Sequence, residues 1–271
     1  YGNYHHSVSY DENGLIVAGK NIKVTAEKNP EDLPWRSQNV DVVIEATGFF
    51  VDPAKARAHI LAGAKKVVIS APAKGEGAKF IVLGVNENTL SAEDEIISNA
   101  SCTTNCIAPV MAVLEREFGI EKSLMTTIHS YTASQKLLDA PAKDLREARS
   151  AAENIVPTTT GAAIATGKVI PSLVGKFDGL SVRVPTPTVS LSDITAVLRR
   201  PVSKEEINEV FKRAAAEPFY QGILGVTEEE LVSSDFKGDS HSCVIDLNLT
   251  NVVGGNLVKI VAWYDNEWVY S

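Results

Sequence analysis

Apolar residues along this chain follow two patterns, and the change between them falls near residue 100. Upstream, short apolar runs alternate with one helical segment. Asp41–Gly48, with Val42-Val43-Ile44 at its centre, reads as a buried strand. A helix from about Asp52 to Ala62 follows, with Asp52 as N-cap, Pro53 at the first helical position and Gly63 as stop. Lys66–Ser70 and Phe80–Val85 read as further strands. Strand, helix, strand in this order predicts a parallel sheet with crossover helices. Before it, Asn13-Gly14 and Gly19-Lys20-Asn21 flank Leu15–Ala18 as in a hairpin, and Ile22–Glu27 alternates like a strand. Ile96 and Ile97 close another short apolar run. Ile107, Val110, Met111, Val113, Leu114 and Phe118 then recur at helical spacing, and Gly119 ends the run.

Downstream the strands lengthen and helices become rare. Leu124–Ile128, Leu180–Val184, Ser190–Leu198, Ser240–Leu249 and Leu257–Trp263 read as strands, with an amphipathic helix at Lys204–Ala216 opened by Ser203. This predicts an α+β unit with an antiparallel or mixed sheet. The stretch Ser134–Ser150 is long, polar and basic, without clear periodicity.

Composition narrows the class. A chain of 271 residues, 44% hydrophobic and 22% charged, has room for two domains and a substantial core. Net charge is −8, which disfavours non-specific nucleic-acid binding but leaves room for a local anion pocket. No apolar run approaches a membrane span, and no charged-then-apolar leader opens the chain. Three cysteines without a CxxC pair argue against a disulfide framework and a Cys-rich zinc site, so a reducing cytoplasm is the expected location. His5 and His6, adjacent on a strand, would point to opposite faces, so no metal site is expected.

Candidate chemistry gathers at Ser98–Cys106. Ser98, Asn99, Ala100 and Ser101 are turn and N-cap residues, so Cys102 falls on the first turn of the helix, among unpaired N–H groups that favour a thiolate. Cys106, one turn deeper, reads as a small packing side chain. A second polar segment, Thr126–Thr132, carries His129; Cys and His are the minimal set for an activated thiol. Thr47-Gly48 and Ser70 lie at the carboxyl ends of predicted strands, where α/β sheets bind ligands. No strand is followed by G-x-G-x-x-G, so the residues alone point to part of an α/β nucleotide-binding domain.

Ser98–Cys106, His129, Thr158–Ala163, Arg183–Thr186 and Trp263–Glu267, in this order and spacing, resemble phosphorylating glyceraldehyde-3-phosphate dehydrogenases. The resemblance covers nearly the whole chain. It implies an α/β fold: a partial Rossmann-type parallel-sheet domain over residues 1–101, an α+β catalytic domain with a mixed or antiparallel sheet over 102–265, and the start of a carboxy-terminal helix at 266–271 returning to the NAD domain. The family opens with a glycine-rich loop and ends in a final helix; the chain is expected to be an internal fragment lacking both.

The resemblance further implies the site. Cys102 would be the nucleophile and His129 its base, working through a thiohemiacetal and a thioester. Ser101, Thr103, Thr160 and Gly161 would bind inorganic phosphate, and Thr132, Arg183 and Arg149 the phosphate of glyceraldehyde 3-phosphate. For Arg149 the alternative is a surface or inter-subunit salt bridge. Lys28, Thr47, Gly48, Ser70, Asn266 and Tyr270 would line the cofactor site, with NAD as the expected cofactor and NADP left open. Ser134, and Trp268-Val269 before Tyr270, depart from the family pattern. A homotetramer is implied, with neither nucleic acid nor membrane as partner. The competing readings are erythrose-4-phosphate oxidation and a catalytically incomplete module that does not bind cofactor.

Overall fold

The structure, a computed structural model, describes residues 1–271. It opens with an exposed antiparallel meander of β1 (Val8–Asp11), β2 (Gly14–Val17) and β3 (Lys20–Lys23). Only glycine fits at position 14, where a Cβ would lie 2.2 Å from the Ile22 carbonyl oxygen. The strand expected over Ile22–Glu27 ends at Lys23, because its partner β2 ends in register at Gly14.

Next come β4 (Val42–Glu45), α1 (Pro53–Leu61), β5 (Lys66–Ile69), β6 (Lys79–Phe80), β7 (Ile96–Ser98) and α2 (Cys102–Glu117). Strands β4-β5-β7-β6 form a four-stranded parallel sheet in that order. The Asp52 side chain accepts the Ala54 N–H at 2.9 Å and starts α1, as its sequence pattern predicts. The run Phe80–Val85 is not a strand beyond Phe80. Asn86 accounts for this: its amide donates to the Phe80 carbonyl at 2.8 Å and its oxygen accepts the Val82 N–H at 2.9 Å. Those backbone groups would otherwise continue a ladder.

The remainder consists of β8 (Ile120–Ser130), β9 (Val156–Thr159), α3 (Ala162–Val169), β10 (Phe177–Val184), β11 (Ser190–Leu198), α4 (Lys204–Ala216), β12 (Leu224–Thr227), β13 (Cys243–Asp246), β14 (Asn251–Val253) and β15 (Leu257–Tyr264). They build one eight-stranded mixed sheet, ordered β12-β13-β15-β11-β8-β10-β9, with β14 paired to β15. The strand expected over Ser240–Leu249 is confined to Cys243–Asp246. At either end Asp239 accepts the His241 N–H (2.8 Å) and Asp246 accepts the Asn248 N–H (3.2 Å), which turns the backbone out of the sheet. The helix α3 and strands β9, β12 and β14 are too short or too mixed to announce themselves in the sequence.

The core explains why α2 sits at the centre. Cys106, Ile107, Val110, Met111, Val113 and Leu114 of α2 have no solvent exposure and pack with Ile194, Ile260 and Ala262 of the large sheet and with Phe211 of α4. Each large aliphatic side chain there contributes roughly 2 kcal/mol. Ala108, on another face of α2, joins Val67, Ile69 and Ile96 of the parallel sheet and Ala165 of α3. One helix thus belongs to both cores, and its first residue lies between the two sheets' functional ends.

Candidate active site

The nucleophile turn is built by side chains that bond the backbone. The Ser101 hydroxyl oxygen accepts the Thr104 N–H at 3.1 Å and so caps α2. Asn105 donates back to the carbonyls of Asn99 (2.8 Å) and Ser101 (3.0 Å). Ala100, fully buried, adopts φ +55°, a left-handed conformation costly for any residue with a Cβ. Ser98 Oγ accepts its N–H at 3.1 Å, and the Tyr270 hydroxyl donates to its carbonyl at 2.8 Å. The result presents a half-buried Cys102 at the first position of α2.

His129, in the long strand β8, brings Nε2 to 3.5 Å from Cys102 Sγ. Its Nδ1 lies 2.8 Å from the Ser130 carbonyl and 2.9 Å from an Arg183 nitrogen. Parallel pairing of β8 with β10 sets Arg183 directly opposite His129. Only one of the two Nδ1 contacts is made at a time: a protonated Nδ1 donates to Ser130, and a bare Nδ1 accepts from Arg183. With Nδ1 protonated and held by Ser130, Nε2 is the ring's acceptor toward the thiol. Burial, then the Arg183 charge, hold His129 down at about 4. Burial pushes the Cys102 thiol up, opposed by hydrogen bonds from Thr103 and by the Arg183 charge. The resting pair is therefore a thiol beside a free base, and a proton passed from Sγ to Nε2 creates thiolate and imidazolium together.

Tyr264 was not among the candidates from sequence. Its buried hydroxyl bridges Thr103 (2.9 Å) and Thr127 (2.8 Å), tying α2 to β8, and its ring meets His129 edge-on at 6.0 Å. In the sequence it stands within Trp263–Glu267, on the inward face with Ala262 and Ile260, but nothing along the chain gives its hydroxyl a partner.

The other candidates divide. Thr103 is buried beside Cys102. Thr160 accepts the Ala162 N–H at 3.2 Å and starts α3, while exposed Gly161 leaves open space where a Cβ would be. Arg183 keeps a buried Nε without any partner, a free donor suited to an anion. Thr132 follows β8 and shares a hydrogen bond with Ser134 at 3.1 Å. Arg149 is not brought to the pair: it is exposed and its Nε donates to Asp139 at 2.9 Å, the salt-bridge alternative. Lys28 lies exposed beyond β3, with no side-chain partner.

Residues at the cofactor candidates have the chemistry a dinucleotide needs. Thr47-Gly48 and Ser70 follow the carboxyl ends of the parallel strands β4 and β5. Gly48 is exposed, with φ +78° and nothing within 4 Å of a Cβ placed there, so its backbone is open to a ligand. Asn266 Oδ1 accepts from the hydroxyls of Ser130 and Ser190, each at 2.9 Å. That fixes the amide and leaves its NH₂ free to donate, the group a carboxamide oxygen requires. These donors fit NAD.

Comparison with known proteins decides the family. The model of the glyceraldehyde 3-phosphate dehydrogenase C-terminal domain matches residues 101–266, and that of its NAD binding domain matches residues 1–53. The chain belongs to the glyceraldehyde-3-phosphate dehydrogenase family. A glyceraldehyde-3-phosphate dehydrogenase of Streptomyces coelicolor is 56% identical over 97% of this chain and 79% of its own length. One from Zymomonas mobilis is 52% identical over 100% of the chain and 80% of its own. The chloroplastic enzyme A of Chlamydomonas reinhardtii is 53% identical over 96% of the chain and 70% of its own. Family membership makes the chain an NAD-dependent oxidoreductase, with an α/β cofactor region and a mixed-sheet catalytic region. No helix is long and apolar enough to cross a membrane.

Proposed function

We propose that this chain oxidises the aldehyde of glyceraldehyde 3-phosphate and traps the product as an acyl phosphate, 1,3-bisphosphoglycerate, with Cys102 as nucleophile and His129 as base. The observation that carries the reading is the 3.5 Å contact of Cys102 Sγ with His129 Nε2 at the start of α2. His129 takes the thiol proton and the thiolate adds to the aldehyde carbon. The imidazolium returns its proton to the resulting oxyanion, giving a thiohemiacetal. His129 then withdraws that hydroxyl proton as the carbon–oxygen double bond re-forms, leaving a thioester. NAD, when bound, takes up the hydride lost from the same carbon. Inorganic phosphate attacks the thioester carbonyl and releases Cys102 as thiolate, so the bond energy is kept in the acyl phosphate.

Two anions must be held. Arg183, with its unpartnered buried Nε, and Thr132 would receive the substrate phosphate. Ser101, Thr103, Thr160 and Gly161 would surround the attacking phosphate; Arg149 reaches an anion only by leaving Asp139. Thr47, Gly48, Ser70, Asn266 and Tyr270 would hold NAD. Residues 1–101 thus serve the cofactor, 102–265 the chemistry, and 266–271 return to the cofactor side.

A homotetramer and a cytoplasmic location belong to the same proposal. Leu124, Leu180 and Leu257 are 65%, 45% and 39% exposed on the face of the large sheet turned away from α2. Such a face suits a subunit contact. Three unpaired thiols suit a reducing compartment. The test is NADH formation from glyceraldehyde 3-phosphate, NAD and phosphate, abolished by omitting phosphate and by Cys102→Ser. An active Cys102→Ser variant overturns the reading. Faster turnover of erythrose 4-phosphate moves it to the four-carbon substrate.

A further inference from the structure

A charged network buried away from the cysteine ends on the cofactor loop. Glu45 is the one acidic residue in the run Val42–Ala46 and is only 3% exposed. A buried carboxylate is costly unless every lone pair is used. Here Oε2 is 2.9 Å from His59 Nε2 and Oε1 accepts the Thr47 N–H at 2.9 Å; Oε1 also accepts the Thr47 hydroxyl. On the far side of the imidazole, the Trp35 indole N–H donates to His59 Nδ1 at 3.2 Å. An indole nitrogen only donates, so Nδ1 is an acceptor and the ring proton sits on Nε2, facing Glu45. Burial pushes the Glu45 carboxyl up, but the hydrogen bonds from Thr47 and His59 outweigh it and hold the group below the ordinary glutamate value.

We propose that Glu45 is a positioning residue for NAD: its carboxylate fixes the turn Thr47–Gly48–Phe49 in the shape that receives the cofactor, and Trp35 and His59 fix the carboxylate. The inference rests on the NAD-dependent reading above. Because Thr47 spends its hydroxyl proton on Glu45, its oxygen is left to accept, and the Phe49 N–H uses it at 3.2 Å. The two bonds pin both sides of Gly48, whose φ of +78° turns the open backbone outward. Without the carboxylate the hydroxyl rotor and the Phe49 N–H lose their common anchor, and the loop samples other shapes before it can bind. Glu45 touches neither Cys102 nor His129, so the effect belongs to cofactor affinity and not to thiol chemistry.

The network makes an unusual demand on substitution. In Glu45→Gln the amide has one oxygen and one NH₂. If the oxygen faces Thr47, the NH₂ meets the Nε2–H of His59, donor against donor. His59 cannot move its proton to Nδ1 while the Trp35 indole donates there. If the amide flips, its NH₂ meets the Thr47 N–H, donor against donor, and the Thr47 hydroxyl loses its acceptor. Removing the indole donor as well, in Trp35→Phe/Glu45→Gln, frees His59 to carry its proton on Nδ1 and to accept from the glutamine.

The experiment is calorimetric titration of the purified chain with NAD. We expect Glu45→Gln to raise Kd about tenfold, the size of one mispaired buried hydrogen bond. Iodoacetamide should alkylate Cys102 of the NAD-free variant at the wild-type rate. In steady-state assays KM for NAD should rise, with kcat at saturating NAD nearly unchanged. The double variant should recover most of the affinity, and Glu45→Asp, which keeps the charge on a shorter arm, should fall between wild type and Glu45→Gln. An unchanged Kd in Glu45→Gln overturns the inference, as does a double variant that binds no better. Should Glu45→Gln not fold, Glu45→Asp with wild-type affinity overturns it equally. A wild-type chain that binds no NAD overturns the functional reading itself, and this inference with it.

Discussion

His129 is 3% exposed, and burial with the neighbouring Arg183 charge holds it near 4 against an ordinary value of 6.5. A histidine harder to protonate in the folded chain than in the unfolded one makes stability depend on pH with a definite sign. Above the unfolded value neither state holds the extra proton and the full stability is present. As pH falls through that value the unfolded chain takes up a proton that the folded chain refuses, and stability is lost until the folded group also titrates. The loss from this one group is about 2 kcal/mol between about pH 8 and about pH 5, and about 3 kcal/mol at its limit. His129→Asn removes the titration while leaving Arg183 and Ser130 in place. The assay is urea unfolding of both proteins at the two pH values, with each protein compared to itself. Wild type should lose the additional increment and the variant should not. Parallel losses in the two proteins would refute the placement of His129 as a buried free base beside Arg183.

Tyr264→Phe should cost about 1–2 kcal/mol, because the buried Thr103 hydroxyl loses its 2.9 Å partner while Thr127 retains the Leu191 carbonyl at 3.3 Å; chemical denaturation measures it. Iodoacetamide on the native chain should yield a single adduct at Cys102 by peptide mass spectrometry, since Cys106 and Cys243 have no exposure; modification of Cys243 at a similar rate would contradict the core packing. Phe211→Ala should destabilise by about 3–5 kcal/mol, as expected for a large fully buried side chain under α4. Leu124→Asp should shift the assembly to smaller species in light scattering without changing the alkylation rate of Cys102, if the open sheet face is the subunit contact.

Local rules made parts of this protein legible from residues alone. Asp52-Pro53 and Ser203 start their helices because capping needs only neighbours along the chain. The spacing from Ile107 to Leu114 gave α2, and the turn residues before it put Cys102 at its first position. Parallel order upstream followed from the strand, helix, strand alternation, and mixed order downstream from longer strands with few helices between them. What failed locally failed for a stated competitor: Asn86 took the backbone groups of the strand expected after Phe80, and Asp239 and Asp246 clipped both ends of β13. The site itself is a product of distant pairing. Cys102 and His129 are 27 positions apart and meet because α2 packs on the face of the sheet that carries β8. Arg183 stands at His129 only through the β8–β10 register, and a slip of one residue would turn it to the other face. Arg149 shows the converse, since its sequence context could not say whether phosphate or Asp139 would be its neighbour. Tyr264 and the chain from Trp35 through His59 and Glu45 to Thr47 carry no spacing rule at all, because burial and hydrogen-bond satisfaction are set by which elements cover them. Residue types and their local spacing set which side chains could do chemistry and where α1, α2 and α4 begin, because capping and periodicity need only neighbours along the chain; which of those side chains share a site was set by the packing of α2 between two sheets.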